Sequence, residues 1–142
     1  MRGNTVSAAL STLLMLACGS LSGDAKYCRD GGKTQIFYTR NNCICRYPEG
    51  DPLYLVEKEG IRRCGNNRLI YKFDNGCLVR VSDGRRLYLV KDGKVIRCAD
   101  GKTLYRIEND RAVRVADGAE VLRRSGEDPL LTFFMVLMLA DM

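Results

Sequence analysis

The chain has 142 residues and carries 23 lysine and arginine residues against 17 acidic ones, a net charge of +6. A surplus this small does not indicate nucleic-acid binding, and the absence of histidine removes the commonest general base and metal ligand. There is also no phosphate-binding glycine loop and no nucleophile elbow, so the sequence predicts neither an enzyme nor a metal or cofactor site.

The N-terminal segment MRGNTVSAALSTLLMLAC has one charge, Arg2, followed by a largely apolar run over residues 8–17. This run is too short to span a bilayer as a helix but suits the core of a secretory signal. With Ala17 directly before Cys18, the segment resembles a bacterial lipoprotein signal peptide. The resemblance implies that residues 1–17 are removed, that Cys18 carries lipid and, because Gly19 follows, that the protein is sorted to the outer membrane. The alternative is ordinary secretion, with cleavage near Ala25.

The cysteines agree with an exported protein. Once Cys18 is assigned to lipid, an even number remains for an oxidising compartment, which predicts disulfides of undetermined connectivity. The disulfide candidates are Cys28, Cys43, Cys45, Cys64, Cys77 and Cys98. The Cys43-Ile44-Cys45 pair could instead be redox-active or hold a soft metal, but structural disulfides with other partners are favoured.

A repeat of 17 residues governs the middle of the chain. One column is aromatic at Phe37, Tyr54, Tyr71, Tyr88 and Tyr105 and continues at Leu122; a second contains Arg29, Arg46, Arg63, Arg80, Arg97 and Arg114; a third contains Gly50, Asn67, Gly84, Gly101 and Gly118. Residues 35–118 hold five copies. Half a copy lies at each end of these five. The N-terminal half copy falls within residues 18–34, after the lipid-anchored segment, and the C-terminal one within residues 119–142, before an apolar tail.

Each copy contains two short runs rich in Val, Ile, Leu and Tyr, separated by turns such as Asp92-Gly93, which predicts a β-hairpin. If Asp92-Gly93 is a two-residue loop, Val90 faces Val95 and Tyr88 faces Arg97. Because 17 is odd, the other turn must hold an odd number of residues, and we expect a bulged three-residue loop over residues 82–84. The predicted fold is mainly β: an antiparallel β-meander of hairpin repeats, forming a curled single sheet or a barrel-like one, with a β-solenoid as the alternative.

Side-chain alternation places the aromatic and arginine columns on one face, as a ladder of cation–π pairs. The predicted binding face consists of Tyr54, Arg63, Tyr71, Arg80, Tyr88, Arg97, Tyr105 and Arg114. Its alternative role is that of an exposed face whose cross-strand pairs only stabilise the sheet. The opposite face carries the cysteines together with Leu55, Leu89, Ile96 and similar side chains, and is predicted to be the core side.

The C-terminal residues EDPLLTFFMVLMLADM predict a short helix that starts at Asp128-Pro129. Residues 130–140 are apolar on all sides and too few to cross a bilayer, so the helix should plug or cover the apolar sheet face. The alternatives are a tail that contacts a membrane or a partner, and a short β-strand.

Together these features predict a lipid-anchored protein of the bacterial cell envelope, in the outer membrane and facing the periplasm, with a soluble secreted or periplasmic protein as the alternative. We expect it to act as a structural or binding module, in which the Arg/Tyr face takes an anionic or sugar polymer, because arginine forks engage carboxylate or phosphate and aromatic rings stack on sugars. The alternative is a protein-binding inhibitor or immunity-type lipoprotein. The expected contacts are with the membrane through the lipid and with an envelope polymer or protein, and not with nucleic acid.

Overall fold

The structure is a computed structural model that describes residues 24–142. The predicted signal peptide and Cys18 lie outside the described residues. The strands are β1 (Lys26–Arg29), β2 (Thr34–Arg40), β3 (Cys43–Arg46), β4 (Pro52–Val56), β5 (Gly60–Arg63), β6 (Arg68–Asp74), β7 (Cys77–Arg80), β8 (Arg86–Lys91), β9 (Lys94–Arg97), β10 (Thr103–Glu108), β11 (Arg111–Arg114) and β12 (Glu120–Ser125), followed by the helix α1 (Leu130–Asp141). Among the described residues, no helix is long and apolar enough to cross a membrane.

The twelve strands form one closed antiparallel barrel in which each strand pairs with its neighbours in sequence. The barrel closes where β1 pairs with β12, through the two half copies at the ends of the repeat region. Where the barrel closes, Tyr27 pairs with Arg124, and these residues occupy the repeat positions of Val95 and Val90, which pair in a complete copy. The barrel-like meander is therefore confirmed, and the solenoid is excluded because successive strands are antiparallel neighbours rather than stacked equivalents.

The register predicted from the Asp-Gly loop is confirmed. Val90 pairs with Val95, and Tyr88 pairs with Arg97. The equivalent pairs in the other copies are Phe37–Arg46, Tyr54–Arg63, Tyr71–Arg80 and Tyr105–Arg114. Asp92 and Gly93 have φ values of 53° and 73°, which suit the tight turn.

The second turn of each copy is longer than predicted. In the turn after β7, the amide of Arg80 donates to the carbonyl of Arg85 at 2.9 Å. The turn over residues 81–84 is thus even, and the odd residue is supplied by a β-bulge, because Leu78 pairs with Tyr88 but Val79 pairs with Arg86. The required parity is present, but the three-residue loop is wrong.

The two faces of the sheet are the reverse of the prediction. The Tyr/Arg face lies inside the barrel, where Tyr105 is only 5% exposed and Tyr88 packs against the core. The predicted core side is the outer surface, on which Val81 and Val115 are 40% and 37% exposed. The column that shows which face is inside lies two residues before each arginine. It is buried in every complete copy and consists of Ile44, Ile61, Leu78, Val95 and Ala112.

Helix α1 lies inside the barrel and supplies its centre. Five consecutive side chains, from Phe133 to Leu137, are 0–2% exposed, so every side of the helix is covered. The ring of Phe133 meets that of Tyr27 edge-on at 5.5 Å between centroids, and Phe134 meets Tyr88 at 5.8 Å. The prediction of a buried apolar helix is confirmed, and the face it covers is the Tyr/Arg face.

Candidate functional site

The arginine column lies at one of the two ends of the barrel. Strands β3, β5, β7, β9 and β11 end at Arg46, Arg63, Arg80, Arg97 and Arg114, and the long turns follow them. We call this end the arginine mouth. Because these residues lie on the same face as the inward tyrosines, their side chains stand at the rim of the barrel interior, beside the C-terminal end of α1.

Three of these arginines are held by an aspartate within their own turn. Arg80 donates to Asp83 from Nε at 3.1 Å and from Nη2 at 2.6 Å. Arg97 makes the same two-pronged bond to Asp100, and Arg114 makes one to Asp117. Each aspartate also accepts a backbone amide two residues later, at 3.0–3.1 Å, which closes the turn.

These hydrogen bonds stabilise the charged forms of the aspartates. The Arg80 guanidinium and the Arg85 amide lower the pKa of Asp83 to about 2. Arg97 and the Lys102 amide lower the pKa of Asp100 to about 2 as well. These carboxylates therefore stay ionised through mildly acidic pH, and the arginines they hold stay engaged.

Helix α1 contributes one further carboxylate to the arginine mouth. Asp141 accepts the hydroxyl of Tyr105 at 2.5 Å and two bonds from Nη1 of Arg114 at 3.0 and 3.1 Å. Burial, with the Asp141 hydrogen bond next in importance, raises the pKa of Tyr105. Arg114 is thereby bound on two sides and closes its part of the mouth.

The copy that contains Arg63 departs from this arrangement. Its turn has Asn66 where the copies of Arg80, Arg97 and Arg114 have aspartate, and Asn66 Oδ1 accepts the Arg68 amide at 3.0 Å as those aspartates do. The amide side chain keeps the turn but supplies no negative charge. Among residues 24–142, no carboxylate lies within ion-pair distance of Arg63 or Arg68.

Arg63 and Arg68 are also direct cross-strand partners in the β5–β6 pair. Two like charges opposite each other destabilise a sheet unless a counter-charge joins them. This part of the rim is therefore an electrostatically unsatisfied site in the folded protein.

A cleft of about 420 Å³ opens at this place. Its lining contains three arginines and no carboxylate: Tyr54, Arg63, Asn66, Arg68, Leu69, Ile70, Tyr71, Arg80, Val81 and Ser82. Tyr71 lies between its neighbours in the aromatic column, and burial raises the pKa of its hydroxyl, so this group is a neutral hydrogen-bonding partner at physiological pH. The cleft can offer guanidinium donors and aromatic surface to a ligand.

The opposite end of the barrel holds the start of α1 through a partly buried polar network. Tyr27 and Thr39 both donate to Asp128 Oδ2, at 2.7 and 2.8 Å. Arg124 donates to the Asp128 carbonyl at 2.8 Å and lies 5.0 Å over the Phe133 ring. Burial is the main cause that raises the pKa of Asp128. This network fixes the point at which the helix enters the barrel.

The structure brings only part of the predicted binding face together as an accessible site. Tyr54, Arg63, Tyr71 and Arg80 meet in the cleft, whereas the outward ladder of all eight residues is wrong. The other four, Tyr88, Arg97, Tyr105 and Arg114, do not line the cleft. Sequence reasoning missed Asn66, Arg68 and Asp141. Asn66 carried a readable signal, because it breaks a column of aspartates at Asp83, Asp100 and Asp117.

No two sulfurs of the six described cysteines lie at disulfide-bond distance, so the predicted disulfides are not confirmed. Two pairs nevertheless approach on the outer surface: Cys43 and Cys64 at 3.4 Å and Cys77 and Cys98 at 3.7 Å between sulfurs. Burial, with the Cys64 hydrogen bond next, raises the pKa of Cys43 to about 12. Within residues 24–142, no group of three or more cysteine or acidic side chains could hold a metal ion.

Comparison with known protein families, with curated proteins and with solved structures finds no match to this chain.

Proposed function

We propose that the protein is a binding module for an anionic sugar polymer, taken up at the arginine mouth in the cleft around Arg63, Arg68 and Tyr71. The observation that carries the proposal is the replacement of the usual turn aspartate by Asn66, which leaves two facing arginines without a counter-charge. An acidic sugar supplies what the site lacks, because its carboxylate accepts a guanidinium fork while its ring stacks on tyrosine.

The contrast among the copies supports this choice of ligand. Where a copy has the aspartate, its arginine is already satisfied and offers little to a partner. Where the aspartate is absent, the arginine side chains gain charge-assisted hydrogen bonds only when an anion arrives, and each such bond contributes about 1.5–3 kcal/mol. Arg80 adds a third guanidinium to the cleft, although Asp83 holds it in the free protein.

The sharpest test replaces Asn66 by aspartate. Asn66→Asp gives this copy the turn residue of the three copies that follow it, so the fold is kept while Arg63 acquires an internal partner. We expect binding of a fluorescently labelled galacturonic acid hexamer, measured by anisotropy at low ionic strength, to weaken about tenfold or more. A galactose hexamer, which lacks the carboxylates, should not bind.

The matched control is Asn109→Asp at the opposite end of the barrel. It makes the same change of residue and charge at a repeat position where Asp92 already stands with the same turn geometry, with φ values of 56° and 53°. Hexamer binding should be unchanged in this variant. An equal loss of hexamer binding in both variants would show that only the overall charge of the protein matters. Unchanged binding by Asn66→Asp would refute the site.

We also propose that the domain is held at the bacterial envelope by lipid on Cys18, with residues 1–17 removed as a signal peptide. The support is the Ala17-Cys18 junction after an apolar run. Expression in a Gram-negative host should place the protein in the outer-membrane fraction, and Cys18→Ala should release it. Unaltered membrane fractionation of the variant would contradict the anchor.

A second candidate is an inhibitor that binds another envelope protein. One observation favours it: the outer surface repeats an exposed apolar position at Tyr47, Val81 and Val115, which are 45%, 40% and 37% exposed. This candidate predicts that Val115→Lys, which lies outside the cleft lining, and not Asn66→Asp, abolishes the protein's effect on its partner.

A further inference from the structure

We propose that Cys43 forms a disulfide with Cys64, and Cys77 one with Cys98, so that two equivalent bridges tie alternate strands together on the outside of the barrel. This inference is independent of the ligand proposed for the cleft. It concerns the four cysteines that approach in pairs and leaves Cys28 and Cys45 as thiols.

The geometry of the two pairs is the same. Cys43 lies beside Leu55 of β4, and the amide of Cys64 donates to the carbonyl of Leu53 of the same strand at 3.0 Å. Cys77 likewise lies beside Leu89 of β8, and the amide of Cys98 donates to the carbonyl of Leu87 at 3.0 Å. In each pair the two side chains therefore meet over one intervening strand.

The sulfurs of each pair are in non-bonded contact, at 3.4 and 3.7 Å. A disulfide requires about 2.05 Å, so each sulfur has to move by less than about 1 Å. Because the paired cysteines are one strand apart and a disulfide requires Cα atoms within about 7 Å of each other, the two strands that carry them must also draw together over the strand between them.

The repeat itself gives an independent argument. Both pairs are separated by 21 residues, and the second pair lies two repeats after the first. The intermediate copy has Gly60 and Val81 at the two positions, so cysteine is absent from both sites together. A free thiol kept for packing would have no reason to appear only with its partner, whereas a bridge needs both.

Bond formation is an ordinary thiol–disulfide exchange. A thiolate of the pair attacks a small-molecule disulfide and releases one thiol, and the second cysteine then displaces the other, so the two cysteines lose two protons and two electrons while the reagent becomes two thiols. Because Cys64 follows Arg63 directly, the first bridge also restrains the turn that carries the cleft.

The test is a disulfide map of the full chain, oxidised in the folded state with glutathione disulfide, alkylated and digested for mass spectrometry. We expect cross-linked peptides for Cys43–Cys64 and Cys77–Cys98, with Cys28 and Cys45 alkylated. A dominant Cys28–Cys45 or Cys43–Cys45 bond, or alkylation of all six cysteines from Cys28 to Cys98, would overturn the proposal.

Two variants keep the result interpretable. Cys64→Ser should leave Cys43 alkylated while Cys77–Cys98 still forms, and Cys45→Ser should leave both bridges intact. Oxidation should raise the Tm of the unmodified chain by at least about 5 °C, and Cys64→Ser should lose part of that rise. A Tm that does not respond to oxidation would show that no bridge spans the folded strands.

Discussion

Replacing Phe134 by alanine tests whether α1 is the core of the barrel. The side chain is fully buried, and its ring packs edge-on against Tyr88 at 5.8 Å. Truncation of such a residue costs about 3–5 kcal/mol, because apolar contacts are lost and the surrounding strands cannot collapse into the space. With a urea m-value of about 2 kcal/mol/M, the midpoint of unfolding should fall by about 2 M.

The assay is urea unfolding followed by circular dichroism of the reduced protein. Leu130→Ala is the matched control, since Leu130 begins the same helix but is 41% exposed. It should shift the midpoint by only a small fraction of that amount. If both variants lose little stability, the helix is not enclosed by the strands.

Two further predictions concern the rim and the turns. Asp141→Asn should lower the titration midpoint of Tyr105 in an alkaline absorbance titration. In the unmodified protein, the pKa of Tyr105 in the folded state is raised above the ordinary value of 10.0, so the contribution of this tyrosine to stability is present below pH 10 and is lost above it. The stability of the unmodified protein should therefore fall at alkaline pH. Gly93→Ala should destabilise the protein more than Gly101→Ala in thermal unfolding: φ is 73° and 72° respectively, but a Cβ at Gly93 would lie 2.9 Å from the Ile107 carbonyl oxygen, whereas one at Gly101 meets nothing within 4 Å. Equal losses would remove the steric part of this explanation.

The strand pairing could be predicted because turn chemistry and repeat length act locally. Asp92-Gly93 fixes the loop, and the loop fixes that Tyr88 faces Arg97. The closure of the barrel is harder to predict from the sequence. It depends on the pairing of β1 with β12, which are nearly a hundred residues apart and each hold half a copy.

The orientation of the sheet could not be read from composition, because both faces carry large apolar side chains. Leucines such as Leu89 lie on the outside, whereas Tyr88 and Val95 lie inside. Arginine in the inward column suggested a solvent-facing surface, but Arg97 stands at the rim, where an inward position still reaches water. The apolar column of Ile61, Leu78 and its equivalents was the sequence signal that favoured the inside.

The candidate site depended on a single departure from the repeat. A column of arginines does not distinguish those that are satisfied from those that are free, since both kinds occupy equivalent positions. Only the pairing of Arg80 with Asp83, set beside the neutral Asn66 next to Arg63, makes the difference visible. Helix residue Asp141 reaches the rim through tertiary structure alone.

The most direct measurement of the central claim is an NMR titration of the arginine Nε–Hε signals with the galacturonic acid hexamer. Arg63 and Arg68 should shift first and furthest, because they have no internal counter-charge, while Arg97 and Arg114 should stay unchanged at the same ligand concentration. Uniform shifts of all four signals, or none at Arg63, would contradict the account.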